Sequence, residues 1–192
     1  MQFINSEFTN TLEIKKSKFI AYITSYNEFE SLMVRLKERH PKARHFVYAY
    51  RYLNEFQQIV ENSSDDGEPK GTSGRPALSV LAGADLINTA VIIVRYFGGT
   101  RLGTGGLVKA YSDSVNLVLN NSELKQYVQL QYKQLKIQYA QLSQIEYLIS
   151  QYDIDITNKE FSESIYLNLA ASAEVYESFA KELFRDNLLK DL

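Results

Sequence analysis

The sequence has no cysteine, no tryptophan and only two histidines, His40 and His45, among its 192 residues. Without cysteine, disulfide frameworks, thiol catalysis and cysteine-ligated zinc or iron–sulfur sites are excluded. Two histidines are also too few for a histidine-rich metal centre. The longest purely apolar run covers residues 90–94, far below the roughly 20 residues of a transmembrane helix. Since residues 1–10 lack the features of a secretory signal, we expect a cytoplasmic protein that does not bind membranes.

Glycine is scarce as well, and its distribution is uneven. All nine glycines lie between Gly67 and Gly106, so unusual backbone geometry is expected in that window. The net charge is −2 and the pI about 5.8, which argues against a strongly basic nucleic-acid-binding protein but is compatible with a local basic patch. Residues 1–125 carry 15 basic and 13 acidic side chains, a charge of +2, whereas residues 126–192 carry 6 and 10, a charge of −4.

Residue periodicity up to about residue 125 predicts an α+β domain. Alternating or continuous apolar residues indicate strands, helical spacing indicates helices, and clusters of Gly, Ser, Asp and Pro indicate loops. The continuous apolar centre of Asn88–Phe97 predicts a strand covered on both faces. The predicted elements are a hairpin of Thr11–Ile14 and Lys18–Ser25, a helix from an Asn27 cap to Pro41, strands Arg44–Leu53 and Gln57–Glu61, a loop Ser63–Gly74, a helix Pro76–Ala84 capped by Thr72 or Ser73, the strand Asn88–Phe97, a loop Gly98–Gly106 and a helix Leu107–Leu119.

Beyond residue 125 glycine and proline are absent and glutamine becomes frequent, which indicates a second domain. Its pattern predicts the order β-α-β-β-α, which is typical of a ferredoxin-like fold. The predicted elements are a strand Val128–Ala140, a helix Leu142–Tyr152, a hairpin of Asp153–Thr157 and Ser164–Leu169 that turns at residues 158–160, and a helix Glu174–Leu189. The few residues after that helix leave a final strand short or absent. We therefore predict two domains, residues 1–125 and residues 126–192.

The glycine-rich segment after the strand Asn88–Phe97 is the first candidate site. A strand-to-helix junction directs free backbone N–H groups outward, and glycines let a phosphate or carboxylate approach the backbone. The spacing fits neither the P-loop motif nor the dinucleotide-binding fingerprint. The alternative interpretation is a tight turn without a ligand. The candidate anion-binding residues are Arg95, Gly98, Gly99, Arg101, Gly103, Thr104, Gly105, Gly106 and Lys109.

The acidic segment Ser64–Pro69 is the second candidate site. Asp65, Asp66 and Glu68 place three carboxylates within four residues, and His45 lies on a neighbouring predicted strand. Such a group could bind ligands, hold magnesium or supply a general base, although a solvated turn explains the same composition. We predict neither catalytic residues nor metal ligands. Magnesium is the one cofactor that the pattern suggests.

Aromatic residues alternate along the strand Arg44–Leu53. Phe46, Tyr48, Tyr50 and Tyr52 share one face. An aromatic face can stack nucleic-acid bases or form part of a core. Because no stripe of basic residues accompanies this face, we expect it to be core at least in part.

Three segments resemble the Impact family, the group that includes the bacterial YigZ-type proteins. They are Ala43–His45, Ser64–Thr72 and Val94–Tyr111, and the resemblance extends over essentially the whole chain. The resemblance implies a first domain similar to domain IV of elongation factor G, a two-layer α/β fold also found in ribosomal proteins and small-molecule kinases. It implies a second domain similar to domain V of the same factor. Because the matched segment Ala43–His45 contains Arg44, the resemblance also implies that Arg44 is a ligand-binding residue next to His45.

The resemblance implies a role near the translation apparatus, because eukaryotic members of the family regulate translation. Our first hypothesis is a non-enzymatic module that contacts RNA, the ribosome or a translation-related protein through the acidic and glycine-rich segments. The alternative is a metal-dependent enzyme acting on a phosphorylated small molecule or nucleotide. A protein–protein adaptor is a third hypothesis, which rests on the acidic, Gln-rich and Tyr-rich second domain.

Overall fold

A five-stranded antiparallel sheet organises the first of two units into which the chain divides, Met1–Tyr127 and Val128–Leu192. The structure is a computed structural model and describes residues 1–185. The first unit consists of β1 (Gln2–Phe3), β2 (Phe8–Ile14), β3 (Ser17–Ser25), α1 (Phe29–Arg39), β4 (His45–Leu53), β5 (Ile59–Ser64), α2 (Gly74–Gly83), β6 (Thr89–Tyr96), α3 (Gly103–Asn120) and β7 (Lys125–Gln126). Strands β1 and β7 pair separately, and the large sheet has the order β2-β3-β6-β4-β5.

The central strand β6 is buried on both faces, as its apolar sequence predicts. On one face it packs with α2 and α3 around residues such as Ile93, Leu81 and Tyr111. On the other face it packs with α1 through Ile92, Leu32 and neighbouring residues. The unit therefore has three layers, and the expectation of a two-layer fold is wrong. An additional helix is required because a strand that is apolar on both sides must be shielded from water on both sides.

The predicted first hairpin is confirmed and has a two-residue turn. Ile14 pairs with Ser17, and the turn residues Lys15 and Lys16 have φ values of 48° and 66°. Two consecutive positive φ values are typical of a type I′ turn, whose twist matches that of the flanking strands. The turn carries two lysines in a conformation that glycine or asparagine adopts more easily.

The starts of α1 and α3 differ from the predicted ones in ways that matter for the fold. A short 3-10 turn, Tyr26–Glu28, precedes α1, so Asn27 does not cap the helix. Helix α3 begins at Gly103 instead of Leu107, so the second half of the predicted glycine loop is helical. The intrinsic cost of glycine in a helix is only about 1 kcal/mol, which packing outweighs. Here Leu107, Ala110 and Tyr111 of the same helix are buried against the sheet.

The second unit consists of β8 (Gln131–Ile137), α4 (Leu142–Ile149), β9 (Asp155–Phe161), β10 (Ile165–Ala171) and α5 (Ala173–Arg185). This is the predicted order β-α-β-β-α, and the antiparallel sheet has the order β8-β10-β9. The predicted turn at residues 158–160 is wrong, because the register pairs Phe161 with Ile165 and places those residues in β9. Glu163 is exposed at the actual turn. The predicted end of the last helix and the question of a final strand lie outside the described residues.

A two-domain α+β fold is thus confirmed, whereas the likeness to elongation factor G stays a prediction. In the part of the chain that the structure describes, no helix is long and apolar enough to cross a membrane.

Substitution of Gly98 tests how tightly the segment after β6 packs on the β2–β3 hairpin. A Cβ at Gly98 would lie 2.0–2.3 Å from the backbone of Lys16 and Ser17. We expect Gly98→Ala to lower the free energy of unfolding by about 1–3 kcal/mol, as overpacking does. Gly83→Ala is the matched control, because its Cβ would have no neighbour within 4 Å. Urea denaturation of both variants checks the prediction, and an equal effect of the two substitutions would contradict it.

Candidate functional site

Antiparallel pairing of β4 and β6 brings the two central candidate residues together. His45 opens β4 and lies directly opposite Arg95 near the end of β6. The acidic segment follows β5, which pairs with β4, so it lies at the same end of the sheet as His45 and Arg95. Residues that are 50 apart in sequence therefore meet at one end of the sheet.

Two cavities open at this end of the sheet. The first has a volume of about 780 Å³ and is lined by Gly67, Tyr96 and a set of basic residues. The second has a volume of about 370 Å³ and is mainly apolar, with Pro69, Leu102 and Leu107 in its wall. Both cavities share three lining residues, namely Arg95, Phe97 and Arg101.

Positive charge dominates the first cavity. Its basic lining residues are Lys42, Arg44, His45, Arg95 and Arg101. Within residues 1–185, Lys42, Arg44 and Arg101 form no ion pair. An uncompensated group of cations around a concave surface attracts anions, because the low-dielectric walls focus its field. The geometry therefore favours an anionic ligand in this cavity.

Arg95 is held in place by a buried network. Its guanidinium donates to the Glu68 carboxylate, and the Tyr111 hydroxyl donates to the same carboxylate oxygen at 2.8 Å. The Arg95 side chain is only 8% exposed and that of Glu68 only 4%. Burial raises the pKa of Tyr111, and the Glu68 carboxylate raises it further, so the phenol stays protonated and acts as a donor. Among the described residues, Arg95 Nε has no hydrogen-bond partner.

His45 is oriented by the acidic segment. Its Nδ1 lies 2.8 Å from the Asp66 carbonyl oxygen, which can only accept, so Nδ1 carries the proton. In the neutral ring Nε2 is then the acceptor. Asp66 Oδ2 also accepts from the Phe46 amide at 2.6 Å, which fixes the segment to the start of β4. Gly67 lies in contact range of the His45 ring, and its φ of +84° favours glycine.

Asp65 does not contact His45 or Arg95 but caps the start of α2. Its carboxylate accepts from the amides of Gly71, Ser73 and Gly74 and from the Ser73 hydroxyl, at 2.7–3.1 Å. Burial by itself raises the pKa of Asp65, but these hydrogen bonds outweigh it and hold the pKa below its usual value. Ser73 occupies the predicted cap position of α2, but its hydroxyl donates to Asp65 and does not accept from the first turn, so the predicted side-chain cap is wrong.

The start of α3 differs from that of α2, because no side chain within residues 1–185 caps it. Gly103 and Thr104 from its first turn line the second cavity together with Glu68. Free amides of a first turn attract anions and hydrogen-bond acceptors. Gly99 and Gly103 have φ values of +89° and +73°, a backbone conformation that favours glycine at these two positions.

The structure thus brings together part of the predicted set. Asp65 and Asp66 bind the protein itself, and Gly98 packs against the hairpin. Lys109 is 76% exposed and pairs with Asp113, away from the lining of both cavities. The predicted residues that line one or both cavities are Arg44, His45, Glu68, Arg95, Arg101, Gly103 and Thr104, whereas Gly99, Gly105 and Gly106 do not.

Sequence reasoning missed Lys42, Tyr96 and Phe97, which also line the first cavity. Strand alternation could have indicated Phe97, since it lies two residues beyond Arg95 and one beyond the end of β6. Tyr96 is positioned by a contact that no local pattern contains. Its hydroxyl lies 3.0 Å from Nδ1 of His40, whose Nε2 meets the Tyr22 hydroxyl at 3.0 Å.

Comparison with known proteins places this architecture in a family. Residues 15–119 match the model of the Impact N-terminal domain. The chain belongs to the Impact family. Residues 135–184 of this Impact-family chain match a second model, DUF1949, a domain of unknown function. The family resemblance that the sequence motifs indicate is therefore confirmed.

Relatives align over most of both chains. An IMPACT family member from Haemophilus influenzae is 37% identical over 174 residues, covering 89% of this chain and 84% of the relative. The IMPACT family member YigZ from Escherichia coli is 36% identical over 176 residues, with 89% and 85% covered. A crystal structure of a hypothetical protein has a TM-score of 0.66 at 34% identity and covers 95% of this chain and 90% of its own. At least one solved protein thus shares this fold over most of the chain.

Removal of the Asp65 carboxylate should destabilise the first unit in a pH-dependent way. Asp65→Ala leaves three backbone amides without their acceptor, so we expect a loss of about 2 kcal/mol at pH 7. Because the folded-state pKa lies below the unfolded one, the stabilisation is complete above the unfolded pKa near 4. It disappears as the pH falls through the folded pKa.

Urea titrations at pH 7 and at about pH 2–3 measure this difference, with Asp113→Ala as the control. Asp113 makes only an exposed ion pair with Lys109, so its loss should cost about 0.5 kcal/mol or less. A loss from Asp65→Ala that is the same at both pH values would rule out the capping role of its charge.

Proposed function

We propose that the first unit is a non-enzymatic binding module that holds phosphate groups of RNA in the cytoplasm, as part of the regulation of translation. The observation that supports this most directly is the 780 Å³ cavity with four Lys and Arg side chains in its lining. Of these four, only Arg95 has a carboxylate partner among the described residues, namely Glu68. The remaining cations are available to a ligand with several negative charges.

The arrangement suits a polyphosphate backbone better than a single small anion. The cavity is open and large, and its cations come from the start of β4, the end of β6 and the segment before α3. Phosphate contacts of this kind fix position and orientation without reading sequence. Lys and Arg side chains around a groove are the usual electrostatic footprint of a nucleic-acid-binding surface.

The translation setting rests on the family. Membership of the Impact family supports it, because the resemblance implies translation regulators among its members. The implied similarity to domains IV and V of elongation factor G belongs to the same proposal, as does contact with the ribosome or a translation-related protein. Fold analogy alone does not define a function, so the proposal depends on the basic cavity.

The metal-dependent enzyme receives no support from the positions of the three acidic residues. Asp65 binds the start of α2, Asp66 binds the Phe46 amide, and Glu68 binds Arg95 and Tyr111. No group of three or more His, Asp or Glu side chains in residues 1–185 is placed to hold a metal ion. We therefore do not propose it as a second function.

Salt-dependent binding of a single-stranded RNA tests the proposed function. Each phosphate contact contributes about 0.7 to the slope of log affinity against log salt for single strands. We expect Arg101→Ala to reduce the slope by about one contact and the affinity by about tenfold at physiological salt. Fluorescence anisotropy with a labelled oligonucleotide at several salt concentrations measures both quantities.

Lys109→Ala is the matched control, since it removes one positive charge from the same region without touching either cavity. It should leave the slope nearly unchanged. Equal affinity at low and high salt, or equal effects of Arg101→Ala and Lys109→Ala, would overturn the phosphate-binding role of the cavity.

A further inference from the structure

Phe97 is an exposed aromatic side chain at the boundary of the two cavities. It is 60% exposed although it directly follows the buried strand β6. Phe97 lines both cavities, and the Arg95 guanidinium lies 5.8 Å from the centroid of its ring. At this exposure the side chain contributes little to the core of the fold. It can contribute a stacking surface to a ligand.

The two cavities differ in chemistry on either side of this ring. The first is lined by Lys42, Arg44 and Arg101 and suits a phosphate. The second has apolar walls from Pro69, Leu102 and Leu107, and at about 370 Å³ it lies within the range of small-molecule pockets. Adjacent charged and apolar compartments fit a ligand that is charged at one end and flat and apolar at the other.

Arg95 is the fixed cation at this boundary. Its side chain is more than nine-tenths buried, and its Nε has no hydrogen-bond partner among the described residues. The ion pair with Glu68 holds the guanidinium in place. Arg95 lines both cavities, so a ligand at their boundary would lie beside it.

We infer that the site binds one nucleotide of a single-stranded RNA. Its unpaired base stacks on Phe97 toward the second cavity, and its phosphate lies in the first cavity. This inference rests on the proposed function and extends it to the class of RNA that is bound. A base within a duplex is stacked on its neighbours and cannot reach the ring, whereas an unpaired base can. Stacking on an aromatic side chain tolerates any base, so recognition is for single strands and not for a sequence.

Substitution of the ring separates stacking from phosphate binding. Phe97→Ala should weaken binding of a single-stranded oligouridine about 5- to 150-fold, the range found for loss of one stacked base. Phe97→Tyr keeps the ring and should restore the affinity. Binding of inorganic tripolyphosphate, which has no base, should be unaffected by either substitution. Thermal melting of both variants should match the wild type, since the side chain is largely exposed.

An oligoribonucleotide with one 2-aminopurine gives a direct signal, because stacking quenches its fluorescence. Quenching by the wild type and by Phe97→Tyr, but not by Phe97→Ala, would support the inference, as would weak binding of a duplex of the same sequence. If Phe97→Ala leaves oligouridine affinity unchanged while Arg101→Ala lowers it, the stacking inference is overturned and the phosphate site stands. If the wild type binds neither oligouridine nor tripolyphosphate, the proposed function fails and this inference fails with it.

Discussion

The buried contact between Glu68 and Arg95 joins the three parts of the chain from which the candidate site is built. Glu68 belongs to the acidic segment, Arg95 to the central strand β6, and Tyr111 of α3 donates to the same carboxylate. Loss of one member of a buried ion pair costs about 3–5 kcal/mol, because the other charge remains without compensation. The contact therefore fixes the acidic segment against the sheet and the start of α3 beside it, and the positions of both cavities depend on it.

Of the three acidic residues in the acidic segment, Glu68 alone lines one of the two cavities, and its charge is paired with Arg95. Its three carboxylates each satisfy a different part of the protein, the first turn of α2, the start of β4 and Arg95. The charge of Glu68 is offset by Arg95, and hydrogen bonds hold the carboxylates of Asp65 and Asp66 against the protein, outside the lining of both cavities. This explains how a segment with three acidic residues in four positions lies next to a cavity whose exposed charges are positive.

Much of the fold follows from local patterns in the sequence. The apolar run of β6, the hairpin around Lys15 and the order of elements in the second unit all have strong periodic signals, and the structure contains them. The predictions were wrong where tertiary contacts determine the local structure, as at the start of α3 and at the turn between β9 and β10. The cap of α2 could not be predicted from its flanking residues, because Asp65 lies eight residues before Ser73. The cation set was found only in part, since pairing of β4 with β6 determines which basic residues meet.

The average charge of the chain conceals this local arrangement. A net charge of −2 would suggest weak interaction with nucleic acid, yet one end of the first sheet concentrates four Lys and Arg side chains around a single cavity. Their environments differ, and so should their roles. Arg95 is desolvated and held by Glu68, so its position should be insensitive to salt. Lys42, Arg44 and Arg101 keep no partner within residues 1–185, and their attraction for an anion is screened by salt. A salt-insensitive anchor surrounded by salt-sensitive cations gives a site whose geometry is fixed and whose affinity varies with ionic strength.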